Sequence, residues 1–165
     1  YFGLFGGGRD VMPDYGFSRW INIEPKSGGR YLPENDSYAS QTSAHNTVVV
    51  DETSQSEEKE DVADAVSGDR HFFDASNPTV QVMSAMANRQ YPGVAMQRTM
   101  FLIRDARLSR PAVVDIVRAT SGSVHTYDYP IHYRGQLIAT NGKTKANTSR
   151  QSPVGAESGY KHRGE

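Results

Sequence analysis

The sequence predicts an antiparallel all-β domain, built as a β-sandwich, on three observations. Aromatic and β-branched runs of strand length recur along its 165 residues. Clusters of Gly, Pro, Asn, Asp and Ser separate them, as turns require. No stretch holds an apolar period of 3.6 for three turns, so helix is expected to be scarce. A chain of this size supports one domain and buries about 70% of the surface that its unfolded form exposes.

The first element is expected to be a hairpin. "YFGLF" and "DVMPDYG" flank Gly6, Gly7 and Gly8, which supply the positive φ of a tight turn. Further strands are expected in "RWINIE", "NTVVVDE", "TVQVMSAMA", "VAMQRTMFLIR", "PAVVDIVRAT", "SVHTYDYPIHY" and "QLIAT". Such a meander suits two stacked sheets. Gln55 to Asp69 is acidic and poor in large apolar residues, and reads as a mobile surface loop. From Lys143 to Glu165 polar residues dominate and little order is expected.

Eighteen Lys and Arg against nineteen Asp and Glu leave a formal net charge of -1. No global field therefore draws the chain to nucleic acid or to an anionic membrane, and an anionic ligand has to meet a local cluster. The sequence has no cysteine, which excludes a disulfide framework and a thiolate metal site. No window reaches the apolar length of a membrane span. The chain opens without Met inside the apolar run Tyr1 to Phe5 and ends in "GYKHRGE". It is expected to be a piece of something larger, incomplete at both ends.

Several segments hold groups that bind ions or move protons. "PDYGFSRW" puts Asp14 and Arg19 just after the hairpin, where an ordinary surface ion pair is the plainer reading. In "KSGGRYLPEN" a double glycine precedes Arg30 and Tyr31: glycine admits close backbone approach, an Arg grips a carboxylate and a phenol handles a proton. "AHNTVVVDE" places His45 and Asn46 ahead of an apolar strand, where an imidazole serves as a metal ligand or as a local hydrogen-bonding group.

A second polar set, His125, Tyr127, Asp128, Tyr129, His132 and Tyr133, reads as a half-buried aromatic strand with wet tips. His125 and His132 alone lack a third zinc ligand. Asp115 lies among apolar residues in "VVDIVR" and needs a partner, such as a nearby Arg, to offset its desolvation. The short motifs GxGxxG, GxxxxGK[ST], HExxH and GxSxG are absent.

"DYGFSRWINIEPKSGGRYLPENDSYASQTSAHNTVVVDETS", continued by "FFDASNPTVQVMSA", "YPGVAMQRTM" and "YPIHYRGQLIATN", resembles the heparinase II/III-like domain of oligoalginate lyases, polysaccharide lyase family seventeen. The resemblance implies a two-part enzyme, an N-terminal α/α toroid followed by a β-sandwich, that cleaves alginate oligomers from the chain end by β-elimination to unsaturated monouronate. Residues 1–165 would then be part of the sandwich, without the toroid and without the C-terminal remainder.

In that family a zinc ion is held by a His of an HGH-type motif and by the Asp and His that fall on Asp14 and His45. The upstream His has no counterpart in this sequence, and the zinc is expected to be structural. Arg19 and Tyr31 are the implied catalytic residues. Arg30, Asn35 and Asn46 are expected at the substrate. Where relatives often read "ETSHF", this chain reads Glu52, Thr53, Ser54, Gln55 and Ser56, so a histidine of that loop has no equivalent here.

The implied partners are an alginate oligosaccharide and the toroid of the same polypeptide, with a homodimer also open. The implied location is periplasmic or secreted in a bacterium. Rival readings are a carbohydrate-binding β-sandwich using Trp20, Tyr31 and Tyr38, a lyase of the same fold acting on another uronic-acid polysaccharide, and a cupin-like metal domain.

Overall fold

A computed structural model describes residues 1–14, 22–23, 26–27, 35–136 and 138–145. They fall into two compact units: Tyr1–Glu58 together with His125–Glu165, and Lys59–Val124.

The first unit begins with the expected hairpin. Strands β1 (Leu4–Gly6) and β2 (Arg9–Met12) pair antiparallel, with Gly6 opposite Arg9. Gly7 and Gly8 form the two-residue loop at φ 61° and 78°, the left-handed geometry that matches strand twist and that glycine adopts freely. A bulge follows Leu4, which pairs with Met12 while Phe5 pairs with Asp10. Part of "RWINIE" appears as β3 (Asn22–Ile23), paired with β4 (Lys26–Ser27).

A π-helical turn, Asn35–Ala39, and a 3-10 turn, Thr42–Ala44, lead into the valine run. There β5 (Val49–Val50) pairs antiparallel with β10 (Tyr127–Asp128). Ala39, Ala44, Val48, Val49 and Val50 are buried and form the apolar heart of this unit. The segment after β10 is tied back to the hairpin by the Arg134 N–H, which donates to the Val11 carbonyl at 2.9 Å.

The second unit is a four-stranded antiparallel meander of β6 (Asp69–Asp74), β7 (Val80–Tyr91), β8 (Val94–Ile103) and β9 (Ala112–Ser121), in spatial order β6-β7-β8-β9. Pro92 and Gly93 close the β7–β8 hairpin between paired Tyr91 and Val94, with Gly93 at φ 73°. Proline pre-sets φ at the first turn position and glycine accepts positive φ at the second, as in a type II turn. Arg98 and Asp115 meet through bonds of 2.9 and 2.6 Å, so the apolar-flanked carboxylate has the arginine partner it needs.

The antiparallel all-β class expected from the sequence is the class observed. Four local expectations differ. β5 is shorter than "NTVVVDE" because Asp51 and Glu52 turn left-handed at φ 52° and 56°. Of "SVHTYDYPIHY" only Tyr127–Asp128 is strand, since Pro130 has no N–H to extend a ladder. The described residues of "QLIAT" hold no strand.

The acidic Gln55–Asp69 segment, expected to be a loop, contains the short helix α1 (Glu60–Asp64) and a left-handed turn over Ser56, Glu57 and Glu58. β6 was not foreseen: every residue of "DRHFFD" is exposed, with charges at both ends. The run Lys143–Glu165 lies outside the described residues from position 146 onward.

Candidate functional site

The hairpin delivers Asp14. β2 ends at Met12, Pro13 stops the ladder, and Asp14 follows at once. The 3-10 turn Thr42–Ala44 delivers His45, whose backbone is extended at φ -115° and ψ 157° and whose N–H donates to the Thr42 carbonyl at 3.1 Å. The two side chains meet across 31 residues of sequence: His45 Nδ1 lies 2.8 Å from Asp14 Oδ2. An ionised carboxylate only accepts, so the imidazole nitrogen donates in this pair. Tyr1 stacks on the His45 ring with centroids 5.3 Å apart and planes at 27°. At 18% and 21% exposure, the His45 and Asp14 side chains are part-buried.

Asn46, the next residue, is fully buried. Its Nδ2 donates to the Phe2 carbonyl at 3.1 Å and to the Pro13 carbonyl at 3.0 Å. Its Oδ1 accepts from the His132 N–H at 2.6 Å. All three partners are backbone groups of fixed character, so the amide has only one orientation that satisfies them. Asn46, expected at the substrate, is placed with its amide turned to the backbone. A side chain at 0% exposure, with both ends of its amide engaged by backbone, offers no surface to a sugar.

The His132 ring donates from Nε2 to the Ser43 carbonyl at 3.0 Å. His125 instead pairs with Asp51, Nδ1 to Oδ2 at 2.6 Å, and meets Tyr127 edge-on at 6.0 Å. The two histidines thus serve different partners. Asp51 Oδ1 also accepts the Thr126 N–H at 2.8 Å. The His125 hydrogen bond, and then that of Thr126, hold the Asp51 carboxyl below its ordinary range.

A second tie runs beneath His45. Ser54 Oγ accepts the Thr42 N–H at 3.0 Å and donates to Gln41 Oε1 at 2.5 Å, while Thr42 Oγ1 accepts the Gln55 N–H at 2.8 Å. The segment after β5 therefore braces the turn that presents the imidazole. Among the described residues, Ser43 Oγ is the buried side-chain polar atom without a hydrogen-bond partner.

Arg19, Arg30 and Tyr31 lie outside the described residues, and Asn35 opens the π-helical turn with its side chain outside them. Asp14 and His45 offer oxygen and nitrogen donors of the kind zinc accepts. Among the described residues no group of three His, Asp or Glu side chains completes a metal shell. The pair alone supplies at most two donors to such a site, and in this structure they are bonded to each other. Sequence reasoning missed the roles of His132 and Ser54, because their partners lie 89 and 12 residues away and follow no spacing rule.

Residues 2–165 match the family model described as "Heparinase II/III-like, C-terminal". The chain is 38% identical over 159 residues to an "Alginate lyase" of Stenotrophomonas maltophilia (strain K279a), covering 96% of this chain and 21% of that protein. It is 35% identical over 163 residues to an "Exo-oligoalginate lyase" of Saccharophagus degradans, covering 96% of this chain and 22% of that protein. The chain thus spans about a fifth of the length of these curated relatives. With nearly its whole length matched, the chain belongs to the heparinase II/III-like C-terminal family.

Proposed function

We propose that the whole protein is a polysaccharide lyase acting on alginate oligosaccharides from the chain end, and that this chain supplies part of its β-sheet region. The observation that carries the reading is the joining of Asp14 to His45 between the hairpin and the valine strand, in a chain similar to an alginate lyase and to an exo-oligoalginate lyase.

In β-elimination the C5 proton of a uronate leaves, the C4–O bond breaks, a C4=C5 double bond forms and the departing oxygen takes up a proton. The C5 proton is weakly acidic until the adjacent carboxylate is neutralised. Arg19 is suited to grip that carboxylate through a planar fork, and Tyr31 to move a proton once cationic neighbours favour its phenolate. Arg30 and Asn35 flank Tyr31 in sequence and suit sugar hydroxyls and carboxylates. The remaining proton-transfer groups are assigned to the part of the protein beyond this chain.

A zinc ion would be held by Asp14 and His45 with a further ligand outside this chain, and would supply a rigid crosslink. Within the chain, Asp14 and His45 hold hairpin and strand together, and the loop carrying Arg19 follows directly from Asp14.

The test is absorbance of unsaturated uronate during incubation with an alginate oligomer. The whole protein should give a steady rise and the isolated 165-residue chain none. A flat trace from the whole protein would sink the lyase reading, and a rise from the isolated chain would sink the assignment of proton transfer to the other part.

A further inference from the structure

Asn46 is the residue on which the candidate site converges. Three separate stretches, at Phe2, Pro13 and His132, bond to one buried carboxamide. One of these contacts brackets the pair: Pro13 directly precedes Asp14, and Asn46 directly follows His45. The Asp14–His45 distance is therefore set by a short closed path of covalent bonds and one hydrogen bond, from Asp14 through the Pro13 carbonyl to the Asn46 amide and back along the chain to His45. The Phe2 bond fixes the residue next to Tyr1, whose ring is stacked on His45. Donor count matters here. A carboxylate in place of the amide would aim a lone pair at each of two carbonyl oxygens, an electrostatic clash that leaves both carbonyls unsatisfied.

We propose that Asn46 is the positioning residue of the Asp14–His45 pair, setting the imidazole against the carboxylate without touching substrate. The use to which the pair is put rests on the lyase reading, while the positioning does not. A purely structural residue would, when changed, loosen the whole unit, whereas a positioning residue alters His45 and spares side chains held by other contacts. His125 supplies the control, because its ring is held by Asp51 and Tyr127 in the same unit.

The experiment is a proton–nitrogen correlation spectrum of the ring nitrogens in the whole protein, labelled with nitrogen-15 histidine and studied as purified, with His45→Gln and His125→Gln assigning the signals. In Asn46→Asp the His45 ring signals should shift or broaden away from their wild-type positions, while those of His125 stay in place. Unchanged His45 signals in a folded Asn46→Asp protein overturn the proposal, and so does equal movement of the His45 and His125 signals. Should Asn46→Asp fail to fold, the same comparison on Asn46→Ser decides. If neither variant folds, Asn46 is a general structural residue and the proposal fails. No substrate enters the measurement, so a negative result is separate from an absence of lyase activity.

Discussion

Arg98 grips Asp115 through two bonds, Nε to Oδ1 at 2.9 Å and Nη2 to Oδ2 at 2.6 Å, from neighbouring strands of the β6-β7-β8-β9 sheet. Arg98 is registered with Val117 and Asp115 with Met100, so the pair runs diagonally across one face. Both side chains are largely buried, at 17% and 16% exposure. Removing one partner takes a charge-assisted, two-bond contact from the other, so Asp115→Ala should cost about 2–3 kcal/mol. Arg98→Lys should recover only part of what Arg98→Ala loses, because an ammonium lacks the fork. Denaturant midpoints of the variants check both, and equal stability of Arg98→Lys and wild type would count against bidentate gripping.

The Asp51–His125 pair carries a pH signature. The folded carboxyl is held below its ordinary value of 3.8, so its contribution to stability is fully present above that value and is lost as pH falls through the folded value. Asp51→Asn should therefore lower the Tm at neutral pH, and the gap to wild type should close on acidification below 3.8. A gap independent of pH would show that the carboxylate's charge plays no part.

Gly7 and Gly8 have nothing within 4 Å of an added Cβ, so alanine there meets no clash and only the backbone term remains. Their φ values of 61° and 78° make that term unfavourable. Gly7→Ala should cost about 1–2 kcal/mol. Thermal unfolding measures it, and a neutral result would show that the hairpin changes its turn geometry.

Ser43 gives the opposite expectation. Its buried hydroxyl has no partner among the described residues, and an unsatisfied hydroxyl costs about 1–3 kcal/mol. Ser43→Ala should leave the Tm unchanged or raise it. A lower Tm would show that the hydroxyl has a partner elsewhere in the whole protein.

For the proposed reaction, Tyr31→Phe should lower kcat about a hundredfold to ten-thousandfold with the fold intact, the usual worth of general acid–base help. Arg19→Ala should fall further than Arg19→Lys. Asp14→Ala and His45→Ala should each release zinc, by elemental analysis, and lower the Tm, whereas Tyr31→Phe should do neither. A full equivalent of zinc in both ligand variants would remove Asp14 and His45 from the metal.

What the sequence revealed was local. The glycine turn, the Pro92–Gly93 hairpin and the strands on either side of it were legible because their signals lie within a few residues. Asp115 announced its need for a partner through its apolar neighbours. The left-handed backbone at Asp51, Glu52, Ser56, Glu57 and Glu58 was not legible, since no glycine marks it. At about 1–2 kcal/mol each such residues are held in place by surroundings, here the Ser54 and Thr42 hydrogen bonds. The hydrogen bonds of Asn46 were not legible for a related reason: its partners lie 33, 44 and 86 residues away, and only the folded chain brings them to one amide.

Those separations bear on the order of events during synthesis. The β6-β7-β8-β9 meander joins neighbours in sequence and is complete once Val124 has left the ribosome. Tyr1–Glu58 is made before the meander, yet its unit also requires residues from His125 onward. Until His132 arrives, the Asn46 Oδ1 lacks the His132 N–H, and until Tyr127–Asp128 arrives β5 lacks β10. Loop closure over so long an interval is slow compared with pairing of adjacent strands. Tyr1–Glu58 is thus completed later than the meander that follows it in sequence, and the Asp14–His45 unit matures only once residues from His125 onward are made.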